Sequence, residues 1–334
     1  MRNSMPRFGA VLSGTGSFLP ERRLTNGDLE KLVDTNNEWI IQRTGIHERR
    51  LAGPSESTAT LALEAARRAL DAARLPAEQI DLIIVATLTP EMPTPSTACM
   101  LHHLLGIQRP IGAFDMGAAC SGFLYALATA TQFIGSGSYR HVLVVGAETL
   151  SRVVDYTDRG TCILFGDGAG AAVVSACDNP QRGVRAFELG AKGDGGTLLS
   201  IPAGGSRVPA SAVSVENRLH YLKMNGREVY KFAVHQMAMS IQRAMEACSL
   251  TSQSVRLVVP HQVNLRIINS ATEKMGFPRD KVFINIDRYG NTSAASVPIA
   301  LDEAIRQGRC GPGDWIIMVA FGAGLTWASA TLHL

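Results

Sequence analysis

The chain has 334 residues, too many for one simple core and enough for two linked ones. Lys and Arg number 32 against 29 Asp and Glu, a net charge of +3 that excludes a strongly basic nucleic-acid binder and an acidic tail protein. With 46% hydrophobic and only 18% charged residues, the chain is globular and should bury much of itself, including surface against a partner subunit.

Arg2 and Arg7 precede a mildly apolar stretch over residues 8–19. Gly9, Gly14 and Gly16 interrupt it and no small-residue cleavage site follows, so it predicts a first β-strand rather than a signal peptide. Residues 57–75, rich in Ala, Leu and Arg, predict a helix that starts after a Ser-Glu-Ser cluster and stops at Pro76. Short β-rich runs at 81–89, 112–117, 141–149, 162–165 and 170–176 predict strands buried on both faces. In residues 227–249, Val234, Ala238, Ile241, Met245 and Cys248 fall on one helical stripe. Uncharged stretches at 116–139 and 315–332 are broken by glycine and polar residues, and they predict buried elements rather than membrane spans. Strand–helix alternation predicts an α/β fold with a parallel or mixed sheet.

The segment FDMGAACSGFLYAL (114–127) echoes IDRYGNTSAASVPIAL (286–301): an apolar residue, Asp, a Gly-containing turn and a small-residue helix. Each is followed by a strand, at 141–149 and 315–322. Two matched units in the same order predict duplicated halves, 1–177 and 178–334, the second interrupted by a Gly/Ser/Pro-rich capping insertion at about 193–226.

Cys120 follows a predicted strand and opens a helix. The helix N-terminus should lower the thiol pKa, and its N–H groups could cradle an oxyanion. A buried core cysteine is the alternative. His261 lies just past a strand, at the sheet edge where α/β ligands collect, and Asn291 lies in the turn that matches the Cys120 turn in the echo. A capping histidine and a turn-forming asparagine remain open for each alone. The six cysteines include no close pair, which argues against zinc or a disulfide framework and for a reducing, cytoplasmic setting. The glycine clusters at 14–16 and 166–170 do not form a dinucleotide or phosphate loop.

The segments WIIQRTGI (39–46), GAACSGF (117–123), YTDRGTCILFGDGAGA (156–171), VPHQVNLR (259–266), YGNTSAASVP (289–298) and AFGAGLTW (320–327) together resemble β-ketoacyl-acyl-carrier-protein synthase III, the initiating condensing enzyme of fatty-acid synthesis. The resemblance runs from about Arg7 to the end of the sequence. It implies a thiolase-like fold, two β-α-β-α-β-α-β-β halves in five α-β-α-β-α layers, working as a homodimer. It also implies that Cys120 takes the acyl group from an acyl-CoA. His261 and Asn291 would then stabilise the enolate formed as malonyl-acyl-carrier protein loses carbon dioxide. Backbone N–H groups of Cys120 and Ala323 would hold the tetrahedral oxygen, with Ala323 standing where the family often has glycine.

The resemblance places Thr35, Trp39, Arg43 and Arg159 at the CoA, with Phe321 walling the catalytic chamber. Trp39 as a packing residue and Arg159 as a turn residue remain open. The loop at 89–100 would cross to the partner subunit and close its acyl pocket. Met92 and Thr94 stand there in place of a bulky aromatic, so primers longer than acetyl are expected. Lys231, Arg266 and Lys274 would form a basic face for the acidic acyl carrier protein, or only a solvated surface. No metal, nicotinamide, nucleic acid or membrane is implied. Relatives with the same Cys-His-Asn set make quinolones, polyketides or ketones and remain the alternative. A thiolase would need a second cysteine near 321–327, and a non-catalytic subunit typically lacks the nucleophile.

Overall fold

The structure, a computed structural model, describes residues 6–334; Arg2 lies outside them. The first half runs β1 (Gly9–Phe18), β2 (Arg23–Thr25), α1 (Asn26–Leu29), α2 (Asn37–Thr44), β3 (Glu48–Arg50), α3 (Thr58–Ala73), β4 (Leu82–Ala86), α4 (Thr97–Leu104), β5 (Gly112–Met116), α5 (Gly122–Gly135), β6 (His141–Glu148), α6 (Arg159–Cys162) and β7 (Gly168–Cys177). The second runs β8 (Gly183–Ala191), β9 (Leu199–Ser200), α7 (Ala212–Glu216), β10 (Lys223–Met224), α8 (Gly226–Ala247), β11 (Val255–Pro260), α9 (Leu265–Lys274), α10 (Ile286–Tyr289), α11 (Ser296–Arg306), β12 (Trp315–Gly322) and β13 (Thr326–His333).

Strand order exposes the duplication. The first half orders its strands β5-β4-β6-β7-β1 and the second β11-β12-β13-β8, and the two join through a single parallel pairing of Ala10 with Gly183. The second half's counterpart of β5 is reduced to one bridge between Val258 and Val282, beside β11. Each central strand is apolar on both faces because helices cover both. On β4, Leu82, Ile84 and Ala86 face the central core, while Ile83 and Val85 face α3 and α4. On β12, Ile316, Met318 and Ala320 face the same central core, while Ile317, Val319 and Phe321 face α8 and α9. Helices α5 and α11 fill the layer between the two sheets, which gives the five layers.

Two predicted strands differ. The run 162–165 does not form a strand: Asp158 caps α6 by accepting from Gly160 N at 2.9 Å, and the apolar residues that follow bury themselves as an irregular turn. A short apolar run carries no periodicity to separate these outcomes. The 81–89 run stops pairing at Ala86, because Leu88 and Thr89 turn their amides to the Glu148 carboxylate.

Candidate active site

Two turns that open the central helices meet in the middle of the molecule. In the first, Ala119 adopts a left-handed φ of 45° and leads through the tight turn Ala119–Ser121 into α5. In the second, Ser293 adopts φ 49° and leads through Ser293–Ala295 into α11. Cys120 therefore corresponds to Ala294, and Asn291 sits three residues earlier in its own turn. The second turn packs tightly on β6 because Gly146 stands there: a Cβ would lie 2.4 Å from the Ala294 carbonyl oxygen.

Cys120, His261 and Asn291 line one small cavity of about 40 Å³, walled mostly by Leu164, Phe165, Leu199, Met224, Phe232 and Phe321. Leu199 and Met224 of this wall fall within residues 193–226. Phe321 meets the His261 ring edge-on at 5.8 Å between centroids.

His261 leaves the end of β11 and is fully buried. Its Nδ1 lies 2.5 Å from Ser296 Oγ, which also accepts from Gln262 N at 3.3 Å. A hydroxyl that accepts from the Gln262 amide can donate its own proton to Nδ1, and in that tautomer the ring N–H stands on Nε2. Nε2 is buried without a hydrogen-bond partner. Burial holds the ring neutral by lowering its pKa to about 3. Asn291 Oδ1 accepts from Ser293 N at 2.8 Å, which leaves the side-chain amide as a donor. The site thus pairs two neutral donors with a thiol.

That thiol is not lowered as the helix terminus predicts. Burial pushes it up to about 12, outweighing the local dipole. Across from it, a Cβ on Gly322 would lie 2.7 Å from Cys120 N, so the turn holding half-buried Ala323 presses on the Cys120 backbone. Thr326 ties the two together, its Oγ1 within 3.1 Å of the Ala118 and Ala323 carbonyl oxygens and 3.2 Å from Ser121 Oγ.

Trp39, Arg43 and Arg159 gather at the surface, the Arg159 and Arg43 guanidinium carbons 5.2 Å and 5.7 Å from the Trp39 ring. Arg159 also donates to the Asp34 carbonyl at 2.7 Å, and the neighbouring Thr35 hydroxyl is buried without a partner. Met92 and Thr94 do not join the cavity of their own chain; both are exposed. Asp115 on β5 anchors that loop by accepting from Thr97 N and Ala98 N at 2.7 and 2.8 Å. Lys231 pairs with Glu228 at 2.8 Å on α8, Arg266 lies over Tyr230 at 5.7 Å, and Lys274 ends α9.

Sequence reasoning missed Ser296, Gln262, Thr326, Ser293 and Glu148. Buried Gln262 fixes the His261 loop by donating to the Pro260 and Phe283 carbonyls and accepting from Asn285 N and Ile286 N. Its place beside His261 is the one sequence signal that could have found it.

A five-layer duplicated fold with Cys, His and Asn on one buried cavity defines a thiolase-fold condensing protein. The family models for 3-oxoacyl-[acyl-carrier-protein] synthase III match residues 114–193, and residues 245–334 for its C-terminal part. The chain is 54% identical over 326 residues to the β-ketoacyl-[acyl-carrier-protein] synthase III of Caldanaerobacter subterraneus, covering 98% of both. It is similar to the crystal structure of 3-oxoacyl-[acyl-carrier-protein] synthase III from Aquifex aeolicus, with TM-score 0.90, 47% identity, and 98% and 100% of the two chains covered. A priming β-ketosynthase of a polyketide biosynthetic pathway is also similar, with TM-score 0.90, 38% identity, and 100% and 98% covered. The chain belongs to the 3-oxoacyl-[acyl-carrier-protein] synthase III family.

Proposed function

We propose that this protein condenses an acyl-CoA primer with malonyl-acyl-carrier protein, with loss of carbon dioxide, to give a 3-oxoacyl-acyl-carrier protein and so initiate fatty-acid synthesis. The observation that carries this reading is the cavity shared by the Cys120 thiol, the His261 Nε2 and the Asn291 amide. Cys120 attacks the thioester and becomes acylated, with CoA leaving as its thiol. His261 and Asn291 donate to the malonyl thioester oxygen as it gains enolate charge. The carbanion attacks the acyl-cysteine, and the Cys120 and Ala323 amides receive the tetrahedral oxygen. The test is carbon dioxide release and product formation from acyl-CoA and malonyl-acyl-carrier protein, with Cys120→Ala as the inactive control. The polyketide relative favours a second reading, a priming enzyme of secondary metabolism, which higher activity with malonyl-CoA or an unusual primer would support.

In this reading Trp39 and Arg159 clasp the CoA adenine, Arg43 its phosphates, and Thr35 adds a polar contact. Arg266, Lys231 and Lys274 on α8 and α9 receive the acidic carrier protein, which contributes more to association rate than to affinity. The partner subunit completes the acyl pocket: β5 is the edge of its sheet, and Phe114 on it and Met92 beside it are large apolar side chains left exposed. The halves divide as 1–177 and 178–334. All six cysteines are free thiols, which suits a reducing, cytoplasmic setting, and no described helix is long and apolar enough to cross a membrane. The reaction requires no cofactor or metal beyond its substrates.

A further inference from the structure

The amides of Cys120 and Ala323, which receive the tetrahedral oxygen in the proposed chemistry, stand on two turns from opposite halves of the chain. Cys120 lies in the turn Ala119–Ser121 that opens α5, closed by Ser121 N donating to the Ala118 carbonyl at 3.1 Å. Ala323 lies in the hairpin between β12 and β13, where Gly322 pairs with Thr326. Two amides hold one oxygen only at the right spacing, so whatever sets the distance between these turns sets what the pair can stabilise.

Gly322 sets how near the turns can come. A Cβ there would lie 2.7 Å from Cys120 N and 3.0 Å from Cys120 Cβ. A steric limit cannot stop the turns from parting, and that restraint comes from Thr326. Its Oγ1 donates at 3.1 Å towards both the Ala118 carbonyl, which closes the Cys120 turn, and the carbonyl of Ala323 itself. It also lies 3.2 Å from the hydroxyl of fully buried Ser121. A single hydroxyl proton is thus divided between the two turns, while its lone pairs are free to accept from Ser121.

The outer side of the hairpin is held independently. Lys192 N donates to the Leu325 carbonyl at 2.8 Å, and Leu325 N donates to the Lys192 carbonyl at 2.9 Å. The hairpin therefore keeps its place beside β8 without Thr326, whose hydroxyl acts on the inward spacing.

We propose that Thr326 is a positioning residue that fixes the spacing of the Cys120 and Ala323 amides. It serves the two steps that pass through a tetrahedral oxygen, acylation of Cys120 and attack of the carbanion on the acyl-cysteine. It does not serve decarboxylation, where His261 and Asn291 receive the charge. Thr326 touches no reacting atom, and the inference rests on the proposed acyl-cysteine chemistry. When the malonyl C–C bond breaks, carbon dioxide leaves and the electron pair stays on the thioester as an enolate. That enolate either attacks the acyl-cysteine, forming a C–C bond and releasing the Cys120 sulfur, or takes a proton from water to give acetyl-acyl-carrier protein. A loosened oxyanion site slows the first route and leaves the second open.

The experiment makes three measurements on wild type, Thr326→Val, Thr326→Ser and Thr326→Ala. They are acylation by acetyl-CoA, carbon dioxide release from malonyl-acyl-carrier protein by the acylated protein, and the ratio of 3-oxoacyl- to acetyl-acyl-carrier protein by mass. Valine keeps the shape and loses the hydroxyl, whereas serine keeps the hydroxyl. Removing an oxyanion donor outright costs about 100- to 1000-fold, and displacing one costs less. Thr326→Val should therefore acylate about tenfold more slowly while releasing carbon dioxide within about twofold of wild type. Acetyl-acyl-carrier protein should appear at the expense of the 3-oxoacyl product, and Thr326→Ser should restore all three readouts. Serine against alanine gives the same comparison if Thr326→Val does not fold. An unchanged acylation rate and product ratio in Thr326→Val would overturn the proposal. Equal loss of acylation and carbon dioxide release would too, the result if Thr326 only supports the fold, as would a Thr326→Ser as slow as the valine variant. If wild type itself is not acylated, the functional reading fails and this inference with it; an acylated wild type with an unaffected Thr326→Val sinks the inference alone.

Discussion

The His261 Nδ1 and Ser296 Oγ lie 2.5 Å apart, joining the end of β11 to the first residue of α11. Ser296 thereby fixes which ring nitrogen faces the cavity, as an orienting group does for a catalytic imidazole. Ser296→Ala should leave Cys120 acylation unchanged and slow carbon dioxide release at least tenfold. His261→Ala and Asn291→Ala should each cost about 3 kcal/mol in that step, a loss of 100-fold or more. Paired acylation and decarboxylation assays check this. Equal loss in both steps would contradict the division of labour.

Two buried groups give stability opposite dependences on pH. The unfolded chain protonates His261 near its ordinary 6.5 and the native state only near 3, so between those values the unfolded state binds more protons and stability falls as pH drops. Glu148 moves from an ordinary 4.5 up to about 7, so there the native state binds more protons and stability falls as pH rises. Neither slope exceeds about 1.4 kcal/mol per pH unit. Urea unfolding between pH 4 and 8 should show a shallower acid loss in His261→Gln and a shallower loss above pH 4.5 in Glu148→Gln.

Gly146 carries no functional group, yet activity should depend on it. A methyl there would press within 2.4 Å of the Ala294 oxygen and displace the turn bearing Asn291, Ser293 and Ser296. Gly146→Ala should lose about 1–3 kcal/mol of stability, by overpacking, and a larger share of condensation activity. Gly311→Ala, where a Cβ meets nothing within 4 Å, is the neutral control. Denaturation and carbon dioxide release measured together separate the two effects.

Much of this arrangement was legible because it is local. Cys120, His261 and Asn291 each end an apolar strand or open a small-residue helix, and both patterns stand in the sequence. Residues that act through distant partners left no such trace. Glu148 meets Thr89 across 59 positions and Thr326 meets Ala118 across 208, distances that no periodicity spans. The thiol's raised pKa was hidden for the same reason: the helix terminus is visible in sequence, but the burial that overrides it comes from residues distant in the chain, Leu164 and Phe165 as well as Phe232 and Phe321. The third strand of the second half shrinks to the Val282 bridge, and nothing in the local pattern announces it.

Primer range should follow the 89–96 loop. Met92 and Thr94 are exposed, and neither is aromatic. Near-equal acylation by acetyl-CoA and octanoyl-CoA is expected, with Thr94→Phe selectively slowing the longer primer. A steep fall beyond four carbons in wild type, or no effect of Thr94→Phe, would contradict this assignment.

In the proposed chemistry Cys120 carries the acyl group. Intact-protein mass spectrometry after incubation with a panel of acyl-CoAs tests it most directly. Wild type should gain the mass of one acyl group per chain, and Cys120→Ala should gain none. Acylation that persists in Cys120→Ala, or a wild-type chain that no acyl-CoA modifies, would contradict the proposed chemistry.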